Sequence, residues 1–235
     1  MTPWCVIVPV KRLDRAKTRL HTNLADGTPA NRADLALAFA SDVVTAALAA
    51  QRVAHVVVVT DDPLASATLG ALGALIVPDS PDSGINPALV HGCEAALSRW
   101  PGTSIAALSS DVPCALPDDI DAVLGLADVS NNSRSFLSDA SGVGTSFLSD
   151  ASGVGTSFLS DASGVGTTMF MAPAGTPFTP AFGRRSRAAH RAAGAHEIVG
   201  TNLQRLRRDV DTEADLWDAR RLGTGAHTAA LLPPT

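Results

Sequence analysis

The run His55-Val56-Val57-Val58-Val59-Thr60 holds four β-branched apolar residues in succession between polar ends. A strand with one wet face alternates apolar and polar side chains, because successive side chains point to opposite faces. An unbroken apolar run of strand length reads instead as a strand covered on both faces, the habit of a parallel sheet between two helical layers. Outward from it, three further short runs repeat the pattern: Cys5 to Val10 upstream, then Leu75 to Pro78 and Ser104 to Ser109 downstream. The segments between carry helical spacing. From Arg32 to Ala50, the residues Leu35, Phe39, Val43 and Ala47 share one face. Asn86 followed by Pro87 reads as an N-cap and first helical position, opening a helix to about Arg99. This alternation predicts an α/β three-layer sandwich with a mainly parallel sheet. Ligands of such sheets bind beyond the carboxyl ends of the strands.

The rest of the chain fits one domain with a full core, since 46% of its 235 residues are apolar. Net charge is −5 and no long basic block occurs, which argues against a nucleic-acid partner. Cys5, Cys93 and Cys114 are scattered and odd in number, so neither a disulfide framework nor a structural zinc site is expected. The apolar run after Trp4 is too short for a signal segment, and no stretch is long enough to span a bilayer. A cytoplasmic protein without a membrane partner is the expectation. Oligomeric state is left open, a homodimer included.

Residues 135 to 167 stand apart. SFLSDASGVGT occurs three times without change, at Ser135 to Thr145, Ser146 to Thr156 and Ser157 to Thr167. A period of 11 is shorter than the common solenoid repeats. Each unit offers a short strand, Ser-Phe-Leu-Ser, and a Gly-rich turn. Two surplus units would then form a hairpin and restore the chain direction; a polar loop is the other reading. Downstream, Thr212 to Asp215 resembles a capping box before a helix that stops at Gly223. One domain is expected over 1–223, with the repeat set inside it, and 224–235 is expected to fray as a tail.

Four constellations could carry chemistry. Lys11, Arg12, Arg15, Lys17 and Arg19 put five cations within nine residues directly after the first strand, where such folds bind phosphates; a solvated basic loop is the alternative. Neither a P-loop nor a dinucleotide fingerprint is present. Asp111, in Ser109-Ser110-Asp111-Val112-Pro113, ends an apolar strand and is placed as a magnesium ligand would be, or as a turn-initiating Asp. Asp209 and Asp211 alternate on an extended stretch and could face one metal, although Asp211-Thr212 also makes a good helix start. Gly164-Val165-Gly166-Thr167-Thr168 and Phe182-Gly183-Arg184-Arg185-Ser186 let backbone amides approach an anion. His190 and His196 have no partner at ligand spacing and read as surface or core residues.

Taken in order, these pieces resemble the phosphoenolpyruvate or 2-phospholactate guanylyltransferases of coenzyme F-420 biosynthesis, relatives of the molybdenum-cofactor guanylyltransferases. The resemblance is carried by Val8-Pro9-Val10-Lys11 with Ala16-Lys17-Thr18-Arg19-Leu20, Gly84-Ile85-Asn86, Ser110-Asp111-Val112-Pro113, Asp161-Ala162-Ser163-Gly164 with Gly166-Thr167-Thr168, Phe182-Gly183 with Ser186 and His190, and Asp209-Val210-Asp211. It implies a nucleotide-diphosphosugar-transferase-like fold, GTP and a small phosphorylated carboxylic acid as substrates, Mg2+ as cofactor, and diphosphate release. It also implies roles. Asp111 and Lys17 would be catalytic, and Lys11, Lys17, Arg19, Gly84 and Asn86 would bind the nucleotide. Thr168, Gly183 and Ser186 would bind the acid, with metal on Asp111, Asp209 and Asp211. The third repeat unit is taken as the functional copy, because it alone runs into Thr168 and Met169-Phe170-Met171. Alternatives are another small-molecule NTP transferase of this fold, or a catalytically impaired homologue that only binds nucleotide.

Overall fold

The computed structural model describes residues 3–15, 20, 31–80, 82–136, 155–200 and 202–233. Four parallel strands form its centre: β1 (Trp4–Pro9), β2 (Val53–Val59), β3 (Leu75–Val77) and β4 (Ser104–Leu108). Three further strands extend the sheet: β5 (Ser157–Ser160), β6 (Thr167–Ala172) and β7 (His196–Glu197). The order is β3-β2-β1-β4-β6-β5-β7, with β6 antiparallel to both β4 and β5. Helices α1 (Arg32–Ala49), α2 (Pro63–Ala71), α3 (Ile85–Arg99) and α4 (Pro117–Phe136) fill the connections between the first five strands.

The unbroken valine run has the predicted cause. Val56 and Val58 enter one core with Val6, Val8, Ala106 and Leu108, under Val43 and Ala47 of α1 and Ile120 and Leu124 of α4. Val57 and Val59 enter the opposite core with Cys5, Ile7, Ile105 and Ala107, under Leu89 and Ala96 of α3. From Val56 to Val59 both faces of the strand are dry, so none of these four positions favours a polar residue. α3 rides close to the sheet: a Cβ built on its Gly92 would lie 2.7 Å from Val59 Cγ2 and 2.9 Å from Ile7 Cγ2.

Three expectations need correction. Gly84, at φ 112°, is the residue that caps α3, without a side-chain cap bond, and Asn86 lies inside the first turn. The Asn86 amide is drawn away to a segment remote in sequence, described below. The expected frayed tail contains α8 (Ala226–Leu231), packed on α1 with Thr228 and Leu232 buried. The Asp42 carboxylate, buried in α1, accepts the His227 and Thr228 N–H groups at 2.8 and 3.0 Å, so the helix end is capped from another element. Lastly, the first and third repeat units, identical in sequence, do not begin in the same structure. Ser135-Phe136 of the first unit ends α4, whereas Ser157-Phe158 of the third begins β5, inside the sheet. Residues 137–154 lie outside the described residues.

The remaining helices are α5 (Ser186–Ala192), α6 (Gln204–Arg207) and α7 (Glu213–Leu222). α7 opens with the predicted capping box between Thr212 and Asp215, and Gly223, at φ 90°, ends it. Among the described residues no helix is long and apolar enough to cross a membrane. The three cysteines are free and buried.

Candidate active site

A cleft of about 410 Å³ opens at the carboxyl ends of the parallel strands. Each strand contributes its following residues: Pro9 to Leu13 from β1, Asp61 from β2, Asp79 from β3, and Ser109 to Asp111 from β4. Gly84, Ile85 and Ala88 of the α3 end form a wall, and Asp211 closes the rim. Backbone bonds fix the floor. Val10 N–H donates to Val59 C=O at 2.9 Å, and Ser109 N–H to Thr168 C=O at 2.8 Å. The loop after β1 is pinned by Asp62, whose carboxylate caps α2 through Leu64 and Ala65 N–H and also accepts Leu13 N–H at 3.0 Å. Burial pushes the Asp62 carboxyl up, but these three amides and the Arg12 charge outweigh it and hold it below its ordinary value. Lys11 and Arg12 are thereby presented, exposed, at the mouth. Lys17 and Arg19 lie outside the described residues.

The carboxylates expected for a metal are brought together from distant parts of the chain. Val210 N–H donates to Asp111 C=O at 2.9 Å, and the Val210 side chain is fully buried. Alternation then turns Asp209 and Asp211 to the other side. Arg207 anchors the approach: its guanidinium donates to Ser160 C=O, Ser160 Oγ and Asp161 C=O, at 2.8 to 3.3 Å. Burial raises the Asp209 carboxyl to about 7, helped by the charges of Asp111, Asp161 and Asp211. Among the described residues no three metal-ligating side chains form a preformed cage. Magnesium rarely uses one; it takes one or two carboxylates and completes its shell with phosphate oxygens and water. A crowded, partly protonated carboxylate group at the rim of an anion-sized cleft fits an ion that arrives with a polyphosphate.

Of the residues expected to bind the acid, Thr168 lies beyond the Asp111 strand along the sheet edge. Thr168, in β6, is 1% exposed, and its hydroxyl has no hydrogen-bond partner among the described residues. Gly183 has φ 133°, a conformation that favours glycine, and a Cβ built on it would meet nothing within 4 Å. Ser186 begins α5, with its N–H on Gly183 C=O at 3.1 Å. The third repeat unit makes the hairpin turn leading into Thr168. Asp161 accepts Val165 N–H at 3.0 Å, Gly166 N–H at 2.7 Å and Ser163 Oγ–H at 3.0 Å. A side chain at position 166 would collide with that carboxylate, which explains its glycine.

Sequence reasoning read Asn86 differently from its place in the structure, and left His190 as a surface or core residue, of which the structure makes it the second. Asn86 lies beside the cleft, but its amide engages Phe182, donating to Phe182 C=O at 2.9 Å and accepting Phe182 N–H at 2.8 Å. His190 is fully buried against Phe158, Phe170 and Phe182. Its Nε2 accepts Ala181 N–H at 2.9 Å, and Nδ1 lies 3.0 Å from Thr167 Oγ1. Burial lowers its pKa to about 4, with the Ser186 backbone offsetting part of the shift. Asp61 and Asp79 were missed, yet each stands two residues beyond a strand end, after Thr60 and Pro78, by the same logic that singled out Asp111.

A mainly parallel sheet with cations and carboxylates gathered at its carboxyl edge is an α/β fold of the nucleotide-diphosphosugar-transferase type. Two solved structures share the fold. A nucleotide-diphospho-sugar transferase from Desulfovibrio desulfuricans G20 matches with TM-score 0.59 at 15% identity, over 98% of this chain and 94% of that one. A 4-diphosphocytidyl-2C-methyl-D-erythritol synthase matches with TM-score 0.51 at 12% identity, over 94% and 99%. Sequence narrows the class further. The chain belongs to the CofC-like guanylyl transferase family, whose model matches residues 4–149. It is 47% identical to the phosphoenolpyruvate guanylyltransferase of Thermomonospora curvata, over 97% of this chain and 88% of that one. It is 45% identical to that of Streptomyces scabiei, over 97% and 94%.

Proposed function

We propose that the protein transfers GMP from GTP to phosphoenolpyruvate, or to a closely related phosphorylated carboxylic acid, and releases diphosphate, within coenzyme F-420 biosynthesis. The observation that carries this reading is the order of groups along the sheet edge. Asp79 and Asp61 stand at the β3 and β2 ends, Lys11 and Arg12 at β1, Asp111 at β4, and Thr168 beyond it on β6. Neighbouring strands are about 4.8 Å apart, so the edge from β3 to β4 is about as long as an extended nucleoside triphosphate. The base would lie toward Asp61, Asp79 and Asp82, since guanine offers N–H donors that carboxylates accept. The triphosphate would lie toward Lys11 and Arg12, joined by Lys17 and Arg19. The acid at Thr168, Gly183 and Ser186 then directs its phosphate oxygen at the α-phosphorus from the side of Asp111.

The protein's part is positioning and charge neutralisation. Lys11, Lys17 and Arg19 hold the phosphates that leave. Asp111, with Asp209 and Asp211, would hold Mg2+, which supplies charge neutralisation at the transferred phosphate. The intact hairpin turn of the third repeat unit speaks against an impaired homologue. Buried free cysteines suit a cytoplasmic location. The test is incubation with Mg2+, each nucleoside triphosphate, and phosphoenolpyruvate, 2-phospholactate or 3-phosphoglycerate in turn, with products identified by mass. The guanylylated acid is expected from GTP; product from another triphosphate alone would reject the reading.

A further inference from the structure

Ala181-Phe182-Gly183 belongs to no strand or helix, yet its backbone is tightly held by side chains. Ala181 N–H donates to His190 Nε2 at 2.9 Å. Phe182 N–H donates to Asn86 Oδ1 at 2.8 Å, and Phe182 C=O accepts from Asn86 Nδ2 at 2.9 Å. The next residue is Gly183, whose carbonyl holds Ser186 N–H. The same two side chains reach the other parts of the site. His190 meets Thr167 Oγ1 through its second nitrogen, one residue before Thr168. Asn86 follows Gly84 and Ile85, which line the nucleotide cleft. Three aromatic rings wall His190 in, so the ring cannot swing away without opening the core.

We infer that Asn86 and His190 are positioning residues for the acid substrate, which together hold Gly183 and Ser186 in register with Thr168. The inference rests on reading Thr168, Gly183 and Ser186 as the acid site. It takes Asn86 out of the nucleotide's ligand set, although the residue stands on the wall of the nucleotide cleft. A backbone segment without ladder partners keeps one conformation only while its polar groups are satisfied. Removing the Asn86 amide leaves both Phe182 groups to water and lets the Gly183 turn relax. Loss then falls on the acid, whose carboxylate or phosphate needs a preformed set of donors. The nucleotide, held by the strand ends, is spared.

The experiment uses the full chain and the variants Asn86→Ala, His190→Leu and His190→Gln. KM for phosphoenolpyruvate, KM for GTP, kcat and Tm are measured, together with direct calorimetric binding of phosphoenolpyruvate to each protein. Asn86→Ala should raise the phosphoenolpyruvate KM and Kd by about tenfold or more while the GTP KM stays within about twofold. Asn86 is only partly buried, so this variant should fold. His190→Leu should behave likewise, and His190→Gln, which restores an acceptor for Ala181 N–H, should recover part of the loss. A raised GTP KM with unchanged acid binding would return Asn86 to the nucleotide and overturn the inference. So would a lowered Tm with both KM values and the acid Kd unchanged, the signature of a merely structural brace. If the wild type binds phosphoenolpyruvate but forms no product with GTP, the proposed reaction fails while the binding series still decides the inference. A wild type that does neither overturns both.

Discussion

Asp111 is the residue on which strand end, cleft and C-terminal segment converge. Its carbonyl holds Val210, and its side chain lines the cleft beside Asp211. Asp111→Asn keeps the shape and removes an anionic oxygen. Turnover should fall on the order of a thousandfold with little change in Tm, a loss of about 4 kcal/mol in transition-state stabilisation. Near-normal turnover in a folded variant would exclude it as a metal ligand. At the other end of the cleft, Asp79 Oδ1 is buried without a hydrogen-bond partner among the described residues. Burial, then the charges of Asp61 and Asp82, push this carboxyl above its ordinary value, which marks an acceptor in need of donors. Asp79→Asn should weaken use of GTP and favour XTP, whose 2-oxo group accepts where the 2-amino group of guanine donates. An unchanged GTP-to-XTP ratio would place the base elsewhere. His190 gives a pH signature. Its pKa falls from 6.5 when unfolded to about 4 when folded. The unfolded chain therefore binds a proton that the fold refuses, and the resulting loss of stability develops as pH drops from 6.5 toward 4. Between pH 7.5 and 5 this amounts to about 2 kcal/mol. Urea denaturation of wild type and His190→Leu at the two pH values should show a smaller pH-dependent loss in the variant.

Elements carry their own tests. α3 can approach β1 and β2 only because Gly92 lacks a Cβ. Gly92→Ala should cost about 1–3 kcal/mol by overpacking against Val59 and Ile7. It should also disturb nucleotide use, because the α3 end walls the cleft; a Tm equal to wild type would contradict the packing described. The repeat shows a sharper conflict. One dipeptide, Ser-Phe, ends a helix in the first unit and starts a buried strand in the third. Deleting Ser135 to Thr156 leaves a single copy, which cannot do both. Phe158 is fully buried in the sheet, so the strand should win and α4 should end by Arg134. The deletion protein should fold and remain active, within about 1–2 kcal/mol of wild type, since closure cost grows only with the logarithm of loop length. Loss of folding, or folding without activity, would show that the extra units are structural.

At the scale of the whole molecule, what could be read from sequence was local or periodic. Val56 to Val59 announced a sheet buried on both faces, and Asp111 announced a strand-end carboxylate. The residues misread are those whose partners lie far along the chain. Asn86 obeys the local grammar of an N-cap, but its partner Phe182 is 96 residues away. The C-terminal helix looked like a tail because its cap, Asp42, is 185 residues from His227. Asn86 and Asp42 join pieces that only the fold brings together.

The most direct measurement follows the phosphorus itself. GTP labelled at the α-phosphorus, and in parallel at the γ-phosphorus, is incubated with the full-length protein, Mg2+ and phosphoenolpyruvate. The α-label should appear in a guanylylated acid and the γ-label in diphosphate alone, with neither transfer in Asp111→Asn. Appearance of the γ-label in the acid or in free phosphate, or retention of both labels in GTP, would contradict guanylyl transfer at this site.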